Sequence, residues 1–148
     1  MAGSVELDQV LRSITRHLRG AAFADKVAER AKVNLEPSLY VLLNRIGDSQ
    51  PVRAAILADT LGVTPSTISR QVSQLEARNL VKRSADPADG RALILRLTPQ
   101  GTKVRQRMQD AWTEILASMV TDWTAKDVDS LVAALTRFDS ALGAFAKS

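Results

Sequence analysis

The chain has 148 residues, enough for one domain with a sizeable core, and its formal net charge is +4. It contains no cysteine, which excludes disulfides, thiolate metal sites and thiol-based redox sensing, and one histidine cannot form a histidine metal cluster. The sequence also shows no glycine-rich phosphate loop and no nucleophile–base pattern, so we predict neither an enzyme nor a bound cofactor or metal.

The charge is distributed unevenly along the chain. Residues 1–107 hold 17 lysines and arginines against 10 acidic residues, whereas residues 108–148 hold 3 against 6. A basic portion of this kind is compatible with nucleic-acid binding. There is no long apolar run, and the amphipathic N-terminus carries Glu6 and Asp8, so we expect a cytoplasmic protein without a membrane span or signal peptide.

The first part of the chain is predicted to be helical. Between about residues 5 and 33, apolar side chains recur at helical spacing, at Leu7, Leu11, Ile14, Leu18, Phe23, Val27 and Ala31. Pro37 is typical of the first position of a second helix. The core face of that helix is predicted to be Leu39, Leu42, Leu43 and Ile46. A turn is predicted over residues 47–51, which contain glycine and proline.

Two short helices joined by a tight turn are predicted next. The first spans about residues 53–61, with the small Ala58 where its partner crosses closely. Gly62 suits the left-handed backbone of the turn. Thr64 and Pro65 are predicted as the N-cap and first residue of the second helix. Its inner face is predicted to be Ile68, Val72 and Leu75, with Leu57, Leu61 and Val63 packed around Ile68.

The outer face of the second helix has an unusual composition. It carries hydroxyls, amides and one arginine, whereas solvated helix faces are generally rich in Glu and Lys. Arg70 can bind a guanine edge through two hydrogen bonds, and Gln71 or Gln74 can pair with adenine. Ser66 and Thr67, at the helix N-terminus, are predicted to contact bases or phosphates, and Ser69 is predicted to contact the DNA backbone.

A β-hairpin is predicted to follow, with strands over residues 80–84 and 93–97 and turn signals at Asp-Pro and Asp-Gly between them. Leu93, Leu95 and Leu97 are predicted to point inward. Arg91, near the tip, suits a narrow minor groove, and Asp89 either orients it through an ion pair or forms the turn. The remaining basic side chains are candidates for phosphate contacts or ordinary surface charge: Lys82, Arg83 and Arg96.

Two long helices are predicted to complete the chain. Thr98-Pro99 opens a helix that reaches about Val120, and Thr124 with Asp127 forms a capping-box variant for the last helix. The apolar stripe of the last helix is Leu131, Leu135, Phe138, Leu142 and Phe145. Because both ends of the chain carry more apolar surface than a winged helix requires, we expect a partner subunit to cover it; packing within the chain is the alternative.

The chain resembles the MarR family of bacterial transcription regulators over essentially its whole length. The resemblance rests on LADTLGVTPSTISRQVSQLEARNLVKR (57–83), on DPADGRALILRLTPQG (86–101) and on the flanking helices. It implies a mainly α fold with a small β-hairpin wing, in which a winged helix-turn-helix (34–100) lies between dimerisation helices (1–33 and 101–148). Gly90 departs from the family, in which that position is often basic.

The resemblance also implies a function. Such a protein is a homodimer that binds a pseudo-palindromic operator in double-stranded DNA, with Ser66, Thr67, Arg70 and Gln71 facing bases and Arg91 in the minor groove. Many members are repressors released by a small aromatic or anionic effector bound between the dimerisation helices and the winged module. The candidates for such a pocket are His17, Tyr40 and Trp112, for which surface exposure or core packing is the alternative.

Two other functions remain open at this stage. A weakly specific architectural DNA-binding protein would share the basic wing without needing an effector, although the low net charge argues against one that depends on phosphate neutralisation. A winged helix that binds another protein would tolerate substitution of Arg70 and Arg91.

Overall fold

The computed structural model describes residues 2–147, so Met1 and Ser148, the ends of the predicted 1–148 domain, lie outside the described residues. The chain divides into two compact units at Trp112 and Thr113, within a single long helix. The first unit contains the winged helix-turn-helix, and the second contains the C-terminal helix. No helix in residues 2–147 is long and apolar enough to cross a membrane.

The predicted N-terminal helical segment is two helices, α1 (Ala2–Arg19) and α2 (Ala21–Ala31). They separate at Gly20, whose backbone is extended, and α2 ends at Lys32 in the left-handed conformation. Val27 and Ala31 are buried in the first unit. The α1 side chains predicted to form an apolar stripe are largely exposed, including Leu7, Ile14 and Leu18.

The second predicted helix is α3 (Pro37–Ser49), which begins with proline at its first turn. All four predicted core residues are essentially inaccessible to solvent: Leu39, Leu42, Leu43 and Ile46. The turn predicted over residues 47–51 is wrong for its first three residues, which remain helical. Arg105, on a later helix, donates to Asn44 and Asp48 on one face of α3, and its guanidinium lies directly over Gly47, which helps to keep this last turn ordered.

The helix-turn-helix consists of α4 (Ala54–Leu61) and α5 (Pro65–Ala77). Gly62 has φ of 64°, as the left-handed turn requires. Ala58 and the predicted inner face of α5 are buried: Ile68, Val72 and Leu75. Val63, which was predicted to pack around Ile68, lies in the turn itself and keeps 37% of its surface exposed.

The wing belongs to a three-stranded antiparallel sheet of β1 (Val52–Arg53), β2 (Val81–Asp86) and β3 (Asp89–Leu97), in the order β1-β3-β2. Both strands extend further toward the turn than predicted, although β2 begins at Val81 and not at residue 80, and the turn is Pro87-Ala88 alone. Gly90 belongs to β3 but lies in its irregular stretch, between Asp89, which pairs with Asp86, and Leu93, which pairs with Ala85, so the predicted turn at Asp-Gly is wrong.

The inward alternation predicted for the second wing strand is also partly wrong. Leu95 and Leu97 are buried, but Leu93 is 49% exposed and Ile94 is buried instead. Leu93 lies on the same side as Leu95, beyond the end of β1, at the mouth of a small cleft of about 150 Å³ against α4 and α5. Ile94 is covered because it pairs with Arg53 of β1 and with Ser84 of β2.

The last two helices are α6 (Pro99–Met119) and α7 (Ala125–Phe145), which confirms both predicted starts. The Thr98 hydroxyl caps α6 by accepting from the Gly101 N–H (2.9 Å), and it donates to the Asn79 carbonyl (2.6 Å). Thr124 and Asp127 form a complete capping box at the start of α7. The apolar stripe of α7 is largely exposed, including Leu131, Leu135 and Leu142.

Candidate nucleic-acid interface

The N-terminus of α5 holds a cluster of hydroxyl groups. Thr64 Oγ1 accepts the backbone N–H of Thr67 (3.2 Å), which fixes the first turn of the helix. The same oxygen lies 3.0 Å from the Ser66 hydroxyl and 2.8 Å from the Thr67 hydroxyl. Hydroxyls beside the free N–H groups of a helix start can donate to a phosphate or a base edge, and the exposed Ser66 can do so most readily.

The outer face of α5 is open to solvent where the sequence predicts base contacts. Ser69, Arg70 and Gln74 are exposed, and Gln71 is half-buried at the edge of the face. Within residues 2–147 the structure shows no ion pair for Arg70, so its guanidinium can meet a base without first breaking an internal bond. The buried inner face of α5 holds this exposed outer face in place against the core.

The wing has an exposed basic end. Arg91 is exposed, and its backbone N–H donates to Asp89 Oδ1 (3.1 Å). Among the described residues Asp89 makes no ion pair with Arg91, and its contact with that residue is this backbone hydrogen bond. Lys82 and Arg96 are exposed and face each other across β2 and β3, which places two positive charges side by side.

Arg83 differs from the other wing cations because it is already bound. Its Nε donates to the Glu76 carboxylate (2.8 Å) and its guanidinium also donates to the Ser73 hydroxyl (3.0 Å), both on α5. The predicted role of Arg83 as a phosphate contact would have to compete with these bonds. In the structure this side chain instead connects β2 to α5.

A second bond between the wing and the helix-turn-helix was not predicted from the sequence. Arg53, the N-cap residue of α4, donates from Nε (2.9 Å) and Nη2 (2.6 Å) to Asp86 Oδ2. The other oxygen of Asp86 accepts the Ala88 N–H (2.9 Å). This backbone hydrogen bond, followed by the Arg53 contact, lowers the pKa of Asp86 below its ordinary value. Asp86 is therefore ionised at neutral pH.

The first unit also contains an apolar cavity of about 530 Å³ between α1, α2, α3 and α6. Tyr40 and Trp112 line it as predicted, and Trp112 makes an edge-on contact with Phe23 at 4.9 Å between ring centroids. His17 does not line the cavity and is exposed, which was the alternative for this residue; Leu18 and Arg19 of α1 line the cavity instead. Arg19 had not been predicted.

Comparison with known proteins identifies sequences that are similar to this chain. The family model described as MarR family matches residues 35–93. The HTH-type transcriptional regulator YxaD of Bacillus subtilis (strain 168), itself uncharacterized, is 31% identical over 128 residues, which are 86% of this chain and 89% of YxaD.

Solved structures share the fold. The crystal structure of the transcriptional regulator Tm0710 from Thermotoga maritima has a TM-score of 0.74 and 22% identity, and the match covers 97% of this chain and 98% of that one. A MepR mutant from S. aureus bound to an oligodeoxyribonucleotide has a TM-score of 0.63 and 21% identity, with 92% of this chain and 97% of that one covered.

Proposed function

The chain belongs to the MarR family of transcription regulators, and from this premise we propose that it is a homodimeric repressor that binds a pseudo-palindromic operator and leaves it when a small aromatic anion binds. The observation that carries the proposal is Arg70, which is exposed and makes no ion pair within residues 2–147, on a helix face of short polar side chains next to a basic wing. The two elements together suit the major and minor grooves of one duplex.

In this proposal the recognition helix α5 enters the major groove. Arg70 binds guanine, Gln71 and Gln74 read adenine, and Ser66 and Thr67 contact bases or phosphates near the helix N-terminus. Support comes from the exposure of this face and from the hydroxyl cluster at Thr64. Ser69 is assigned to the DNA backbone because it lies at the edge of the face.

The wing supplies the second contact. Arg91 enters the minor groove, where its guanidinium is attracted by the negative potential of narrow A·T-rich sequences. Lys82 and Arg96 contact phosphates, since both are exposed and form a local concentration of positive charge. Arg83 acts mainly through its bonds to α5, and Asp89 supports the backbone of Arg91.

The recognition role is tested by Arg70→Ala on a duplex selected from a random pool by the wild-type protein. One bidentate base contact contributes about 1–3 kcal/mol, so we expect an affinity loss of roughly 5- to 150-fold and relaxed preference at one base pair. Quantitative gel shifts at fixed salt measure both effects.

Arg45→Ala is the matched control. The substitution removes the same charge, and Arg45 is exposed on α3, away from the outer face of α5. Equal losses in the two variants would contradict direct reading by Arg70. A wild-type specificity ratio near one would instead favour the architectural DNA-binding protein, and absence of any DNA binding would favour a protein-binding winged helix.

The dimer is proposed from two exposed apolar surfaces, each considered by itself. On α1 the exposed side chains include Val10, Ile14 and Leu18, and on α7 they include Leu135 and Leu142. Contiguous rows of exposed apolar side chains on a helix face are characteristic of surfaces that a partner buries. A second copy of the chain is the partner we propose, since an operator with two half-sites requires two recognition helices.

The effector site is proposed to be the cavity next to α3. Its wall is mainly apolar, with Tyr40, Trp112 and Phe23 suited to an aromatic ring and Arg19 suited to an anionic group. We propose that an occupied cavity favours dimers whose recognition helices are no longer about 34 Å apart, the separation of successive major grooves. The free energy of operator binding then becomes less favourable, at most by the difference between the effector's binding free energies for the two dimer states.

Titration of Tyr40 reports on this cavity, because the chain has one tyrosine. Burial raises the pKa of Tyr40, so we expect phenolate absorbance with a midpoint above about 10 in the folded protein. Because the folded-state pKa exceeds the unfolded one, the associated stability is present below about pH 10 and is lost as pH rises through the folded pKa.

The measurement compares the free energies of unfolding of wild type and Tyr40→Phe across this range. The wild type should lose stability relative to the variant only at the alkaline end. A phenolate midpoint equal to that of the unfolded chain would show that Tyr40 is solvated and would count against a cavity at this position.

A further inference from the structure

Bonds on both sides hold the wing in place, and we call them the two wing braces: Arg53–Asp86 on the β1 side, and Arg83 with Glu76 and Ser73 on the α5 side. The first brace joins the hairpin turn to the N-cap of α4 through two donors on one carboxylate oxygen, at 2.9 and 2.6 Å. The second joins the middle of β2 to the recognition helix. The wing is thereby connected to both helices of the helix-turn-helix.

The Arg53–Asp86 brace lies where the sheet itself stops supporting the wing. β1 pairs with β3 only through Val52↔Leu95 and Arg53↔Ile94, so the hairpin beyond Ile94 has no third strand. The β2–β3 register is also irregular between Ala85 and Asp86. Arg91 lies in this unsupported part of β3, three residues before Ile94. The Arg53 side chain extends from the last paired residue of β1 to the turn.

The geometry points to Arg53 and Asp86 as positioning residues for Arg91: we propose that their ion pair holds the hairpin end at the angle at which Arg91 can enter the minor groove while α5 occupies the major groove. This inference rests on the proposed DNA-binding function. It adds to the local support from Asp89 a second support from Asp86, whose carboxylate binds both the turn, through the Ala88 N–H, and the body of the protein, through Arg53.

Global stability does not explain this pair well. The Arg53 side chain is 43% exposed, and ion pairs with one exposed partner contribute little to the free energy of unfolding. Arg53 also gives no side-chain cap to α4. What the pair does constrain is the direction of a two-stranded hairpin, and an error of even 1 Å at an interface contact is costly.

The test is a double-mutant cycle on DNA affinity with Arg53→Gln, Asp86→Asn and Arg91→Ala. Asparagine retains an oxygen for the Ala88 N–H, so Asp86→Asn removes the brace and keeps the turn bond. We expect Arg91→Ala to weaken wild-type binding about 10-fold. In either brace variant, adding Arg91→Ala should lower DNA affinity by less than about twofold, because Arg91 is already misplaced.

The effect of Arg70→Ala is the internal control. Because α5 is held by its buried face, Arg70→Ala should weaken binding by the same factor in wild type and in both brace variants. Amide hydrogen exchange of the free protein gives a second readout: exchange at Ala88 and Arg91 should accelerate in Arg53→Gln, while exchange at Val72 stays unchanged.

Other outcomes overturn the inference in distinguishable ways. A full Arg91→Ala loss in both brace variants would show that the pair does not position the wing. If Arg53→Gln by itself weakened DNA binding and Asp86→Asn did not, the result would show that Arg53 contacts phosphate itself. If Arg91→Ala has no effect in wild type, the wing has no DNA role and the positioning inference is overturned with it; absence of sequence-selective binding would overturn the proposed function.

Discussion

Gly101→Ala is expected to destabilise the protein by about 3 kcal/mol or more, a large share of the stability of a domain of this size. A Cβ at Gly101 would lie 1.9 Å from the backbone oxygen of Leu80 and 2.9 Å from its carbonyl carbon. Neither atom belongs to a flexible side chain, so α6 would have to move away from the start of the wing. Chemical denaturation measures the loss.

The position matters because α6 meets the wing backbone directly there. The Leu80 oxygen also accepts the Thr98 N–H (3.0 Å), and the Gly101 N–H is capped by the Thr98 hydroxyl. Displacing Gly101 therefore strains a bond network at the junction of β3 and α6. Gly90→Ala is the matched control, since a Cβ at Gly90 meets nothing within 4 Å and should change stability by less than about 0.5 kcal/mol. Equal free energies of unfolding for Gly101→Ala and Gly90→Ala would contradict the close contact between Gly101 and Leu80.

The recognition helix could be predicted almost to the residue because its signals are local. Thr64 and Pro65 mark its start through a cap and a fixed φ, and both are confirmed. Helical spacing alone identified the inner face of Ile68, Val72 and Leu75, all of them buried. The outer face follows by elimination, so the exposure of Arg70 needed no knowledge of the rest of the fold.

The sheet could be predicted less well because distant partners determine it. β1 is two residues long, too short to produce an alternation pattern, and it pairs with β3 some 40 residues later in the chain. Whether Leu93 or Ile94 is buried depends on where β1 ends. The partner of Asp86 lies 33 residues away, and nothing local in the sequence indicates Arg53.

The lining of the cavity could likewise be predicted only in part from the sequence. Aromatic side chains at Tyr40 and Trp112 could be identified as candidates, but which α1 side chain accompanies them depends on the rotation of α1 against α2. The structure selects Arg19 over His17, and this changes the expected chemistry of the wall from a titratable imidazole to a permanent cation. The effector proposed for this cavity is for that reason one with a negative charge.

The largest expected effect on DNA binding comes from residues far along the chain from the recognition helix. Leu135 and Leu142 are about half exposed on α7, although both are large and apolar. If a second copy covers this stripe, Leu135→Glu combined with Leu142→Glu places two unpaired charges in the interface, and the dimer should dissociate. Light scattering or sedimentation should then report the mass of one chain.

DNA affinity should fall with the dimer, by about 100-fold or more, because binding at the second half-site is no longer intramolecular. Ser140→Glu is the control: Ser140 lies on the opposite side of α7, is exposed, and donates to the Thr136 carbonyl within the same helix. It should remain dimeric with near wild-type affinity. A double variant that stays dimeric would place the interface elsewhere. One that is monomeric yet binds its selected site undiminished would show that a single recognition helix and wing suffice.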